Sequence, residues 1–172
     1  NAELALDNAR RLIAAGANLV KLEGGSEHRD VFHLLNSNNI NVCGHLGLQP
    51  QLVVDSSGYK IQGKDDIGAQ KILDDALLLE SLGVSVIVLE CIPRELANNV
   101  SRSLKIPTIG IGAGSDCDGQ VLVSYDMLGI TSGRLPRFAR NFMTGKGSVR
   151  LAIESFNEEV KAGTYPSIDE TY

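Results

Sequence analysis

Four ionisable residues in this sequence have the types and positions that acid–base chemistry requires: Lys21, Glu23, His45 and Glu90. Each comes at or near the end of an apolar run that is typical of a β-strand. In α/β folds, the polar residues at the carboxyl ends of the strands carry the chemistry. We therefore predict that these residues belong to one acid–base site of an α/β enzyme.

Glu90 ends residues 84–90, the strongest strand pattern in the chain. Burial at the end of such a run disfavours the charged form of a carboxylate, which makes a carboxyl group in that environment useful as a general base. The alternative is a structural role, in which Glu90 caps the next helix or pairs with an arginine.

Lys21 and Glu23 alternate with Val20 and Leu22, so the two charged side chains lie on one face of a strand and the two apolar ones on the other. If the apolar side chains pack under helices, the charged ones point to the inside of the sheet. Charges there are costly unless they meet another charge, such as a metal ion or a substrate carboxylate. A structural Lys–Glu pair explains the alternation equally well.

His45 ends the run 42–45, but a lone histidine is more often structural than catalytic. His28 and His33 lie in a surface-like helical pattern and are predicted to have no chemical role.

The elements that position these residues alternate between strand and helix. Strands are predicted at 18–23, 39–45, 84–90, 107–111 and 120–124. Helices are predicted at 2–15, 65–82 and 148–162. Two more are predicted from their start signals, one after an N-cap at Ser26 and one with Pro93 as its first residue. The inner face of the first helix is predicted to contain Ala5, Ala9, Leu12 and Ile13. That of the second helix is predicted to contain Val31, Leu34 and Leu35. This alternation predicts βαβ units, a parallel sheet and a single domain over residues 1–172.

Two loops have features of their own. Residues 46–64 form a long polar loop, which favours a functional role. Residues 110–114 are rich in glycine; they either let backbone N–H groups hold a phosphate or only permit a tight turn and close backbone approach. A basic loop is predicted at 134–140.

Composition excludes several classes of protein. The net charge is −5, no basic patch is concentrated on one element and Trp is absent, so nucleic acid is a poor candidate partner. No apolar run approaches the roughly 20 residues of a membrane helix, and the N-terminal region does not resemble a signal peptide. Cys43, Cys91 and Cys117 lack metal-site spacing and are predicted to be buried free thiols in a reducing, cytoplasmic compartment.

Seven segments together resemble the ketopantoate (3-methyl-2-oxobutanoate) hydroxymethyltransferase family. They are AGANLVKLEGG (15–25), VCGHLGLQPQ (42–51), GYKIQG (58–63), VIVLECIP (86–93), IPTIGIGAG (106–114), DGQVLVSYDMLGI (118–130) and FARNF (138–142). They cover almost the whole chain in order, which is far more specific than any single motif.

The resemblance implies a fold and an activity. The family is a TIM-type (β/α)8 barrel of the phosphoenolpyruvate mutase and isocitrate lyase group. It transfers a hydroxymethyl group from 5,10-methylenetetrahydrofolate to 3-methyl-2-oxobutanoate, which gives 2-dehydropantoate for pantothenate synthesis. The resemblance also implies Mg²⁺ or a similar divalent ion, and a homo-oligomer that is commonly decameric.

The resemblance gives the four residues unequal roles. Glu90 corresponds to the catalytic proton acceptor and Lys21 to the residue that binds the substrate carboxylate. Glu23 corresponds to a metal ligand or a residue that holds metal-bound water, and His45 to a residue that lines the substrate pocket.

The family also has an N-terminal portion with three further strands and two aspartates that bind the metal directly. Five strands cannot close an eight-stranded barrel, so we expect upstream residues or a second chain to supply the rest. Two alternatives remain at this stage: another metal-dependent 2-oxo-acid C–C lyase or mutase of the same barrel group, or a catalytically silent fragment.

Overall fold

A computed structural model describes residues 1–52, 60–133 and 135–172 of the chain. Five parallel strands form one sheet in the order β1-β2-β3-β4-β5. The strands are β1 (Val20–Glu23), β2 (Val42–Gly47), β3 (Val86–Glu90), β4 (Thr108–Ile111) and β5 (Gly119–Gln120). The predicted α/β class with five parallel strands is therefore confirmed.

The first three strands begin two or three residues later than predicted because the preceding residues end a helix or a turn. Asn39 has a φ of +58°, which lies outside the extended region. The N–H of Val84 donates to the carbonyl of Leu79 at 3.1 Å, so Val84 still belongs to the end of the preceding helix. β2 also runs two residues beyond the predicted end, through Gly47.

The helices are α1 (Ala2–Ala14), α2 (Arg29–Ser37), α3 (Asp66–Ser81), α4 (Arg94–Ser103), α5 (Ser124–Met127) and α6 (Val149–Lys161). The Asp65 side chain caps α3 by accepting from the N–H of Gly68, and the Ser148 side chain caps α6 by accepting from Leu151. The structure reveals no helix that is both long and apolar enough to cross a membrane in the part of the chain that it describes.

The buried face of α1 differs from the predicted one. Leu6 and Ala9 are buried, whereas Leu12 is 53% exposed and Ile13 is 37% exposed. Because α1 packs mainly against α2, that contact decides which stripe is covered. Ala9 belongs to both the predicted and the buried face and Ala5 is half-buried, so the covered stripe is shifted towards Leu6 by roughly half of the 100° step between residues.

Ser26 is not the N-cap of α2, contrary to prediction. A 3₁₀ turn at Ser26–His28 precedes the helix, and the N–H of Ser26 donates to Asp75 Oδ1 on α3 at 3.1 Å. Ser26 is therefore held against α3, and α2 begins three residues later, at Arg29. The inner face of α2 contains buried Phe32 and Leu35 and half-buried Val31 and Leu34.

Two boundaries near the later strands also differ from prediction. Pro93 is the N-cap of α4 and not its first residue, because its ψ of 141° is extended. β5 ends at Gln120 and does not continue to residue 124, since Ser124 already begins the short helix α5.

The glycine-rich run after β4 allows close packing. Gly112 and Gly114 have φ values of +64° and +78°. A Cβ on Gly112 would lie 2.5 Å from Phe138 Cδ1, and one on Gly114 would lie 2.5 Å from Arg94 Cγ. These contacts support the tight-turn interpretation of the run; phosphate binding stays a prediction.

The sheet separates two apolar clusters. One face, which includes Val20, Val42, Ile87 and Leu89, packs with α1–α4. The opposite face includes Val88 and Ile111, which cluster with C-terminal residues. Lys21, Glu23, His45 and Glu90 belong to the opposite face, as alternation along the strands requires.

The C-terminal segment is held by Arg140. Its guanidinium donates to both carboxylate oxygens of Glu170 at 2.6 Å and also pairs with Glu159. It lies 5.1 Å from the ring centroids of both Phe142 and Tyr165. The predicted basic loop thus contributes a structural ion pair; Arg134, within that loop, lies outside the described residues.

Candidate active site

Parallel pairing brings the ends of three strands together. β1 pairs with β2 so that Glu23 is opposite His45, and β2 pairs with β3 so that His45 is opposite Val88 and Gly47 is opposite Glu90. Because parallel strands end at the same edge of the sheet, residues far apart in sequence become neighbours there.

The His45 ring lies between two carboxylates. Its Nε2 atom is 3.2 Å from Glu90 Oε2, and its Nδ1 atom is 3.9 Å from Glu23 Oε1. The His45 side chain is completely buried, while those of Glu90 and Glu23 are 12% and 18% exposed. The carboxylates therefore border the solvent-accessible space and the imidazole lies behind them.

Neither nitrogen of the His45 ring makes a hydrogen bond with the residues that the structure describes. The Nε2–Glu90 distance is within hydrogen-bond range, but the ring N–H is not aligned with the oxygen. An unmade hydrogen bond of a buried polar group costs about 1–3 kcal/mol. Such a cost is unusual away from functional sites.

The backbone on both sides of Glu90 is fixed by contacts with neighbouring segments. The N–H of Leu48 donates to the Glu90 carbonyl at 2.9 Å, and a Cβ on Gly47 would lie only 2.1 Å from that oxygen. The next residue, Cys91, has a φ of +50°, and its carbonyl accepts from the N–H of Gln62. The left-handed turn at Cys91 ends β3 directly after the carboxylate.

The Cys91 thiol is a poor nucleophile in this environment. Burial, reinforced by the charge of Glu90, raises the pKa of Cys91 to about 12. Burial also raises the pKa of Cys43, where it outweighs the opposing charge of Lys21, and that of Cys117. All three cysteines are free, as predicted, but only Cys91 is fully buried, while Cys43 and Cys117 are half-buried. Thiolate chemistry at neutral pH is disfavoured at each.

Glu23 is oriented by a contact that the sequence did not indicate. Its Oε2 atom accepts from the backbone N–H of Gln51 at 3.3 Å, in the 3₁₀ turn Pro50–Leu52. The turn lies within the predicted long loop at 46–64. Residues 53–59 of that loop lie outside the described residues. Every residue except proline has a backbone N–H, so the residue type of Gln51 gave no indication of this hydrogen bond.

Lys21 lies on the same strand face as Glu23, two residues earlier, and is exposed. β1 is at the edge of the sheet, so the space beside Lys21 is open among the described residues. His28 and His33 are also exposed, as their surface-like pattern predicts; that they have no chemical role stays a prediction.

The described residues do not form a complete metal site. Within residues 1–52, 60–133 and 135–172, no group of three or more His, Cys, Asp or Glu side chains is arranged to hold a metal ion. Glu23 is suitable as one oxygen ligand for a hard cation such as Mg²⁺. The remaining ligands would have to come from elsewhere in the protein.

Comparison with known proteins identifies relatives over nearly the whole chain. The family model described as ketopantoate hydroxymethyltransferase matches residues 1–168. Proteins named 3-methyl-2-oxobutanoate hydroxymethyltransferase match at 58% identity over 99% of this chain in Vesicomyosocius okutanii, and at 56% identity over 100% in Ruthia magnifica. A protein of the same name from Shewanella denitrificans is 50% identical over 98% of the chain.

These relatives are longer than this chain, which spans 66%, 66% and 64% of their respective lengths. Among solved structures, a dihydrodipicolinate synthase aligns with 64% of this chain and 39% of its own, at 11% identity and a TM-score of 0.45.

Proposed function

Because the chain belongs to the ketopantoate hydroxymethyltransferase family, we propose that the complete protein transfers a hydroxymethyl group from 5,10-methylenetetrahydrofolate to 3-methyl-2-oxobutanoate, giving 2-dehydropantoate. The observation that carries the proposal is the carboxylate of Glu90, placed at the carboxyl edge of the sheet 3.2 Å from a fully buried histidine. A base in that position suits a reaction that begins with removal of a proton from carbon.

Glu90 is the proposed proton acceptor. Carbon 3 of a 2-oxo acid is weakly acidic, so a positioned base is needed to remove its proton. The Glu90 carboxylate takes that proton as the C–H bond breaks and the enolate forms. Carbon 3 of the enolate then forms a C–C bond with the methylene carbon of the folate as one C–N bond of that carbon breaks. The second C–N bond breaks as a water molecule supplies the hydroxyl oxygen, and the protons from Glu90 and from water end on the two folate nitrogens, which gives the hydroxymethyl group and tetrahydrofolate.

Lys21 is the proposed ligand of the substrate carboxylate. Its ammonium group lies on the same face as Glu23 and is exposed, so it is free to form charge-assisted hydrogen bonds with a bound anion. Fixing the carboxylate sets the position of carbon 3 relative to Glu90. His45 is proposed to line the pocket from behind the two carboxylates.

Glu23 is the proposed residue of this chain that approaches the metal, either directly or through bound water. A divalent ion, when bound, would stabilise the negative charge that develops on the keto oxygen. Mg²⁺ is the ion that oxygen ligands favour. Glu23 alone does not define the site, so the two family aspartates expected upstream are proposed to complete it.

The wider organisation is also part of the proposal. The five strands are proposed to be the C-terminal part of a TIM-type barrel that assembles as a cytoplasmic homo-oligomer. The relatives, which are about half as long again as this chain, support the existence of a larger unit.

The test is an assay of the full-length protein with 3-methyl-2-oxobutanoate, methylenetetrahydrofolate and Mg²⁺, in which 2-dehydropantoate is quantified. We expect formation of this product to depend on both substrates. No turnover, or cleavage of another 2-oxo acid without folate, would reject the proposal and favour another C–C lyase or a silent protein.

A further inference from the structure

We infer that His45 is a positioning residue for the general base: its Nε2–H holds the Glu90 carboxylate towards carbon 3 of the substrate. The inference rests on the proposed function, because it assumes that Glu90 is the base. It goes further by giving His45 a role that acts through Glu90, in addition to the contact with substrate implied by its position in the pocket.

The first argument is the position of the ring. His45 is completely buried, so its nitrogens have no access to solvent, and of the two carboxylates beside the ring Glu90 is the closer, with Oε2 at 3.2 Å from Nε2. Nδ1 is 3.9 Å from Glu23, which is too long for a hydrogen bond. A neutral imidazole has one N–H, and Nε2 is the atom with an acceptor in range.

The second argument is the rigidity of the surrounding backbone. The His45 carbonyl accepts from the N–H of Gly24 at 3.1 Å, which ties the end of β2 to the end of β1. The Glu90 carbonyl accepts from the N–H of Leu48 at 2.9 Å. With both main chains fixed, the remaining freedom is in the side chains, and rotation of the Glu90 side chain would align its carboxylate with Nε2. Contacts of catalytic groups often tighten in this way when substrate binds.

The test compares substitutions of His45 that each keep a nitrogen at the position of only one of the two ring nitrogens, or at neither. In His45→Gln the amide nitrogen reaches the position of Nε2, in His45→Asn it reaches only that of Nδ1, and in His45→Leu neither is replaced. The readout is the exchange of the carbon-3 proton of 3-methyl-2-oxobutanoate for deuterium, which is monitored by NMR in the presence of Mg²⁺. Folate is left out, so that the measurement isolates the step assigned to Glu90.

We expect the His45→Gln variant to exchange the proton at a rate within about threefold of wild type. The His45→Asn and His45→Leu variants should lower the maximal exchange rate roughly 10–100-fold with little change in KM, because a base misplaced by about 1 Å loses rate and not affinity. The matched control is His33→Gln, which changes an exposed histidine on α2 and should have no effect. Equal rates for Gln and Asn, a wild-type rate for Leu, or a change confined to KM would overturn the inference.

A second measurement leaves His45 in place, so it remains decisive if the His45 variants fail to fold. In protein labelled with ¹⁵N at histidine, Glu90→Gln should shift the Nε2 resonance of His45, while Glu95→Gln, at an exposed position on α4, should not. An unchanged resonance would contradict the contact. Because this readout needs no turnover, failure of the proposed reaction and failure of the positioning role give different results.

Discussion

The carboxylates of Glu23 and Glu90 differ in their partners, and the difference suits them to different tasks. Glu23 accepts a backbone hydrogen bond from Gln51, whereas the Glu90 carboxylate accepts no hydrogen bond among the described residues and lies 3.2 Å from Nε2 of the His45 ring. A carboxylate with free lone pairs can accept a proton from carbon. One already oriented by a backbone N–H is better suited to fixed binding of a cation or its water.

At the residue scale, Lys21→Gln should impair substrate binding more than chemistry. Loss of a charge-assisted hydrogen bond to the substrate carboxylate removes about 1.5–3 kcal/mol, so KM for the oxo acid should rise roughly 10–150-fold while kcat changes less. Steady-state kinetics of the full-length protein measure this, with Lys161→Gln at the exposed end of α6 as control. An unchanged KM would show that Lys21 does not bind the carboxylate.

At the element scale, the close approach of β2 and β3 is what places the base. Gly47 pairs with Glu90 across the two strands and has a φ of +94°, and its Cα faces the Glu90 carbonyl. A side chain at this position would force the strands apart at the edge where the site is formed.

Gly47→Ala should therefore reduce both stability and turnover. The matched control is Gly16→Ala, because Gly16 has a similar φ of +104° but nothing within 4 Å of the added Cβ. Both variants carry the backbone cost of about 1 kcal/mol, and only Gly47→Ala adds a clash of about 1–3 kcal/mol. Urea unfolding and turnover measure the difference. If the two variants behave alike, the close approach has no functional importance.

The alternation of strands and helices was predictable because burial imposes a period on apolar residues. It placed Glu23 and Glu90 correctly at the ends of β1 and β3, but Lys21 lies inside β1 and His45 lies two residues before the end of β2. Boundaries were less predictable, because contacts between distant residues decide them. Ser26 illustrates this. Its residue type and position are typical of an N-cap, but its N–H donates to the carboxylate of Asp75, which lies 49 residues later in the chain.

The candidate site was only partly predictable for the same reason. Residue types identified Glu90 and Glu23, and the resemblance assigned their roles. The burial of His45 between them follows from strand register, and the hydrogen bond from Gln51 follows from backbone geometry. Neither the burial of His45 nor this hydrogen bond can be predicted from the pattern of residue types.

At the scale of the whole molecule, the C-terminal segment is fastened to the face of the sheet that carries the site. Burial alone would raise the pKa of Glu170, but hydrogen bonds from Arg140 and Ser167 outweigh it and lower the pKa. The same Arg140 also binds Glu159 on α6, so one guanidinium joins the last turn of the chain to a helix.

Glu170→Gln should lower the free energy of unfolding at pH 7 by about 1.5–3 kcal/mol, the usual contribution of hydrogen bonds to a charged group. Because the folded pKa lies below the unfolded value of about 4.3, this contribution is complete above that value and is lost as pH falls through the folded pKa. Urea unfolding from pH 7 to 3 should show the wild type approaching the variant.

The control for this prediction is Glu158→Gln, an exposed position on α6. It should change stability by less than about 0.5 kcal/mol. A Glu170→Gln deficit that stays constant down to pH 3 would mean that the ion pair is not its cause.

The role of Glu90 as the base is tested by one measurement: the rate at which full-length Glu90→Gln exchanges the carbon-3 proton of 3-methyl-2-oxobutanoate for deuterium in the presence of Mg²⁺. We predict a fall of about 10²–10⁴-fold relative to wild type, with the matched Glu95→Gln variant unaffected. A Glu90→Gln rate close to that of wild type would contradict the assignment of Glu90 as the proton acceptor.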